Sequence, residues 1–134
     1  MTDFLEAWRG GRNFVTDGPM IFLTVNASNA PGDVIALPRA GGRLRATARA
    51  VGNQPLRSLE IVVNGSVAAQ ATLRADEQEG QIDMVVNVQQ GSWVAARATA
   101  EDRLLSNEEL ARYTKSDGKP QLPSRLLFGH TSPV

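Results

Sequence analysis

The sequence predicts a mainly β protein. The expected form is an antiparallel, immunoglobulin-like β-sandwich of about seven or eight strands, with a short N-terminal helix and one short helix near residues 106–114. Three observations predict it. Apolar stretches with a period of two recur at the spacing of roughly 8–12 residues usual in sandwiches. Asn64-Gly65 separates two such stretches, and Asn-Gly is the strongest short-range hairpin signal. No long helical pattern lies between the strand candidates, which argues against a parallel α/β sheet.

Along the chain, residues 3–9 read as a helix. Asp3 and Glu6 have capping-box spacing, Phe4, Leu5 and Trp8 share a face, and Gly10-Gly11 ends the turn. So short a helix is marginal alone and must dock through Trp8 and Phe4. Residues 13–16 are a short strand candidate, Asp17-Gly18-Pro19 a turn, and residues 20–25 an apolar strand. Residues 26–33 are loop-like, residues 34–37 read as a short strand ended by Pro38, and Gly41-Gly42 turns the chain.

The cleanest alternation follows. Leu44, Ala46, Ala48 and Ala50 point one way, and Arg43, Arg45, Thr47 and Arg49 the other. Such small inward residues predict a close approach of the facing layer. Residues 59–63 and 66–73 flank Asn64-Gly65, with Val63 expected beside Ser66. Residues 76–80 form an acidic loop. Residues 81–88 alternate with Ile82, Met84, Val86 and Val88 inward, and residues 92–100 read as a central strand. Ser106 and Glu109 can cap the second helix, on which Leu110 and Tyr113 share a face. Residues 116–124, with Gly118, Pro120 and Pro123, are a loop leading to the apolar patch Leu126, Leu127 and Phe128.

The totals narrow the function. The 134 residues fit one domain with one core. Lys plus Arg equals Asp plus Glu at 14 each, so the excess of positive charge usual in nucleic-acid binders is absent. No apolar run approaches membrane-spanning length and no signal-peptide pattern opens the chain, so neither a nucleic-acid nor a membrane partner is expected. There is no cysteine and one histidine, His130, so the usual zinc sets cannot be assembled from this chain.

The remaining candidates each have a plain alternative. His130 is suited to acid–base or metal chemistry near neutral pH, but packing or hydrogen bonding on the last strand is the commoner role. His130 with Ser132 lacks the oxyanion hole and Gly-x-Ser-x-Gly elbow of a serine hydrolase. Asp17 and Asp33, in Gly/Pro turns, fall short of a calcium ligand set and suit turn hydrogen bonds. Arg12, Arg43, Arg45, Arg49 and Arg97 make either a basic face or a solvated row balanced by Glu60 and Asp83; alternation favours the row. Trp8, Trp93, Tyr113 and Phe128 suit packing better than a carbohydrate platform.

Three segments, taken together, carry a resemblance. They are Gly11-Arg12-Asn13-Phe14-Val15-Thr16-Asp17-Gly18-Pro19, residues 59–65 leading to Gly91-Ser92-Trp93-Val94-Ala95-Ala96-Arg97, and His130-Thr131-Ser132-Pro133-Val134. Their order and spacing resemble the C-terminal region of carbaryl-hydrolase-like (CehA/McbA-type) metallohydrolases of the PHP superfamily. The resemblance implies that residues 1–11 are a linker helix from an upstream catalytic domain. Residues 12–134 would be one β-sandwich domain, truncated at its last strand, with an exposed edge there. It implies a non-catalytic accessory domain that packs on the catalytic barrel and shapes its active-site mouth or a dimer interface. Trp8, Phe14, Leu126, Leu127 and Phe128 are the expected interdomain contacts. The divalent metal would belong to the parent catalytic domain and no cofactor to this chain; His130 is the one weak catalytic candidate. The alternative is a free-standing carbohydrate- or peptide-binding sandwich.

Overall fold

The computed structural model describes residues 2–89, 91–101 and 127–134. Helix α1 (Thr2–Arg9) precedes β1 (Phe14–Thr16), β2 (Met20–Val25), β3 (Gly42–Val51), β4 (Leu56–Val63), β5 (Ser66–Gln70), β6 (Glu79–Val88), β7 (Val94–Ala100) and β8 (Leu127–Thr131). The helix expected near residues 106–114, together with Tyr113 and Leu126, lies outside the described residues.

The strands form two antiparallel sheets, in the orders β1-β8-β7-β4-β5 and β2-β3-β6. The sheet β2-β3-β6 matches strands A, B and E of an immunoglobulin-like sandwich, and β8-β7-β4-β5 matches G, F, C and C′. β1 is added outside β8. The last strand therefore has a neighbour on each side, and the exposed edge expected there falls on β1 and β5 instead.

Alternation along β3 places Leu44, Ala46, Ala48 and Ala50 inside, as the pattern predicts. Ala96, Ala98 and Ala100 do the same on β7, while Leu59 and Ile61 on β4 supply bulk. β3 and β4 are joined by the short connection at residues 52–55, and their inward side chains meet in one core cluster.

The Asn64-Gly65 turn forms as expected, with φ of 50° and 85°, and Val63 pairs with Ser66. Residues 34–37 correct one expectation. They alternate between exposed and half-buried, with Ile35 and Leu37 packed on the core, yet they belong to no strand. The side-chain period is that of a strand; the partner that would complete a ladder is missing among the described residues.

α1 ends in a hydrogen-bonded cap: Gly10 N donates to Glu6 O (2.9 Å), Gly11 N to Trp8 O (3.1 Å) and Arg12 N to Ala7 O (2.9 Å). Gly11 has φ 68°, the left-handed conformation that closes a helix. The capped end rests on Gly32, whose Cα lies 3.3 Å from where a Cβ on Gly11 would stand. Beyond that anchor, α1 buries none of its own residues. It is not a span, since no helix among the described residues is long and apolar enough to cross a membrane.

Candidate functional site

The sandwich opens at one end into a cavity of about 740 Å³. This is the end where β2 finishes, β3 starts, β6 finishes and β7 starts. The cavity floor is Val25, Leu44, Val88 and Val94, all buried. Residues 34–37 form one wall, Trp93 another, and Pro133 and Val134 a third; Arg9, Gly10 and Gly11 reach the rim from α1.

A hydrogen-bonded frame holds these walls. Asn64 serves twice, in the turn and as a clamp: its N donates to Trp93 O (3.2 Å) and its Oδ1 accepts from Trp93 N (3.0 Å). Its Nδ2 donates to Ser92 Oγ (3.1 Å). Val94 and Val134 exchange N–H···O bonds of 2.9 and 3.1 Å, and Gly32 N donates to Pro133 O (2.9 Å). Ser132 donates from N to Asn13 O (3.0 Å) and from Oγ to Asn13 Oδ1 (2.8 Å). The final residues therefore hold the cavity wall, and the Ser132 hydroxyl is committed to Asn13 rather than to His130.

His130 lies on the solvent face of its sheet, between Val15 of β1 and Arg97 of β7. Its Nδ1 stands 3.1 Å from Thr131 O, and its ring is 5.5 Å from that of Phe128. It does not line the cavity. Among the described residues no group of three or more His, Asp or Glu side chains is placed to hold a metal ion. Asp33 Oδ2 accepts from Ala30 N (2.8 Å), the turn role expected of it. Asp17 reaches further than a turn, its Oδ1 accepting from Phe128 N at 2.6 Å to tie the β1–β2 turn to β8.

Among the described residues, the expected contacts Trp8, Phe14, Leu127 and Phe128 do not form one patch. Phe14 pairs with Thr131, which points inward, whereas Phe128 shares the outer face with His130. Phe14 and Phe128 are each 41% exposed, but on opposite faces of the sheet. Leu127 is half-buried, and its side chain fills the place that a Cβ on Gly18 would take. Trp8 stands apart on α1, 65% exposed, beside Phe4 at 71%. Nor do the described aromatics of that set form a platform: Trp93 precedes β7, while Phe128 pairs with Thr99 at its other end.

The arginines divide by place. Arg45 binds Asp83, Arg49 binds Glu79 (2.6 Å) and Arg97 binds Glu60, all on strand faces; Arg57 pairs with Glu101 and Arg74 with Glu77. Arg45 and Arg49 on one sheet and Arg97 on the other are thus balanced as alternation favours, whereas Arg12 and Arg43 of the expected row have no carboxylate partner among the described residues. Arg49 also lies over the Phe22 ring, 6.0 Å from its centre.

Hydrogen bonds from the guanidinium groups of Arg45 and Arg49 hold the Asp83 and Glu79 carboxyls below their ordinary values, against opposing desolvation. A carboxyl lowered in the fold stabilises it above the unfolded value, near pH 4, and loses that contribution as pH falls through the folded value. Urea unfolding midpoints should therefore fall on acidification below about pH 4, and fall less in the double variant Asp83→Asn, Glu79→Gln. Equal slopes for the two proteins would show that these pairs play no part in acid sensitivity.

No protein-family model, curated protein or solved structure matches this chain.

Proposed function

We propose that this chain is a non-catalytic accessory domain that packs on a catalytic domain through the apolar face of α1. The observation that carries this reading is α1 itself. Its C-terminal end is capped and anchored on Gly32, yet Phe4, Leu5 and Trp8 remain exposed. A helix held in place with its aromatic face uncovered suits an interface, where such residues supply most of the binding energy. The partner proposed is an upstream barrel like that of the metal-dependent PHP-type hydrolases, whose C-terminal region three segments of the sequence resemble. The chemistry and the divalent metal then belong to that barrel, and this domain shapes its mouth or supports a dimer.

The coding sequence ahead of this chain is the first test. A His-x-His motif opening a barrel domain supports the reading, and an upstream sequence without metal-ligating residues overturns it. The purified chain should show no turnover of nitrophenyl phosphate or nitrophenyl acetate with added zinc or manganese; metal-dependent turnover would sink the proposal. In the two-domain protein, cleaved ahead of α1, Phe4→Ser with Trp8→Ser should weaken re-association by roughly thirtyfold or more, the effect of losing one strong aromatic anchor. Unchanged re-association would remove α1 from the interface.

A further inference from the structure

We propose that the open end of the sandwich binds an extended, anionic peptide with apolar side chains at alternate positions, its backbone pairing with residues 34–37. Three independent features converge there. The first is the backbone. Residues 33–38 run without a turn or bend. The N–H and C=O groups of Val34, Ile35, Ala36 and Leu37 make no hydrogen bond to another described residue. Ile35 and Leu37 are fixed on the core and Val34 and Ala36 face out. The segment has the side-chain order of a strand and has no neighbouring strand among the described residues. Extended peptides recognise such a backbone by adding themselves to it.

The second feature is the cavity beside that segment, apolar on its floor and bounded by Trp93 and Pro133. A second, shallower hollow of about 390 Å³, formed by residues 40–43 and 87–89, lies at the same end and shares Val88 and Gln89 with the cavity. Alternate side chains of a strand laid along the cavity would enter the apolar floor.

The third feature is charge. Four arginines have no carboxylate partner among the described residues: Arg9, Arg12, Arg39 and Arg43. Two of them line this end and the other two adjoin its lining segments in sequence. Arg9 lines the cavity and Arg43 the hollow, Arg12 follows Gly11 on the rim, and Arg39 follows the unpaired segment. Arg45, Arg49 and Arg97 on the strand faces are neutralised in place, and Arg9 and Arg43 are left for an anionic ligand; Asp33, which also lines the cavity, accepts from Ala30 N. A small apolar acid would use the cavity and the charge but not the backbone of residues 34–37, so a peptide accounts for more of the site.

The test uses the chain alone, so it stands or falls separately from the docking of α1. The probe is an acetylated, amidated heptapeptide of alternating valine and glutamate, followed by amide NMR at about 1 mM, where weak complexes still register. The expected result is saturable shifts at residues 33–37 and at the Trp93 indole. Methylating alternate backbone nitrogens of the probe, or exchanging its glutamates for lysines, should each weaken binding roughly tenfold, the scale of one good hydrogen bond or ion pair. Arg9→Gln with Arg43→Gln, both at surface positions, should weaken the glutamate probe severalfold. Absence of shifts, or equal binding by the methylated probe, would overturn the proposal. So would octanoate producing the same shifts at the same concentration.

Discussion

Leu59→Ala is expected to destabilise the domain by about 3–4 kcal/mol, within the range for emptying a fully enclosed leucine site. Leu59 is completely buried on β4 and points into the layer between the sheets. Its surroundings cannot easily collapse into the space. The facing β3 residues Ala46, Ala48 and Ala50 have no longer side chains to swing inward, and the backbone is held by ladders on both sides of β4. Most of the cavity should therefore persist. For a chain of this length the midpoint of thermal unfolding should drop by roughly 10 °C. Leu73→Ala is the control, because Leu73 is only partly buried at the margin of the same core. If Leu59→Ala costs no more than Leu73→Ala, then β4 does not hold the centre of the sandwich.

Gly32→Ala should cost about 3 kcal/mol, from two separable causes. Gly32 has φ 91°, which penalises any residue with a Cβ by roughly 1–2 kcal/mol. A Cβ there would also overlap the Gly10 carbonyl oxygen and stand 2.8 Å from Gly11 C and 3.0 Å from Arg12 N. Backbone atoms on the capped end of α1 cannot rotate away, so crowding adds a further cost of about 1–3 kcal/mol. Gly65→Ala isolates the first cause, because Gly65 has a similar φ of 85° but nothing within 4 Å of an added Cβ. It should lose only the backbone share. Urea denaturation of the two variants measures the difference. Equal losses would mean that the loop does not hold α1, and would remove the anchor on which the proposed docking rests.

The faces of the strands were legible in the chain because alternation is local. Leu44 to Ala50 on β3 and Ile82 to Val88 on β6 show which side each residue takes, whatever the partner strand is. Asn64-Gly65 was legible for the same reason: its positive φ values depend on those two residues. The paired rows of Arg45 with Asp83 and Arg97 with Glu60 followed from outward alternation once the strands were neighbours. The aromatic contact set was not legible. Phe14 and Phe128 both read as exposed apolar residues near an end of the β region, and only the register of β1 on β8 puts them on opposite faces.

The candidate site was nearly invisible in sequence. Residues 34–37 have strand-like composition and period, so they read as a strand. Whether a strand exists is decided by a neighbour's hydrogen bonds, and no local pattern contains the neighbour. The unpaired arginines were likewise hidden, because Arg9, Arg39 and Arg43 look like Arg45 and Arg49 until the carboxylates are placed.

By itself, then, the sequence determined a mainly β sandwich, the inward side of its strands, the hairpin at Asn64-Gly65 and the helix that ends at Gly10-Gly11. Those features depend on residues a few positions apart. The tertiary structure decided that β8 lies inside its sheet, that the capped helix rests on Gly32, and that a strand-like segment has no partner among the described residues beside an apolar cavity. Each of these joins residues far apart in the chain, where distance in sequence carries no information about distance in space.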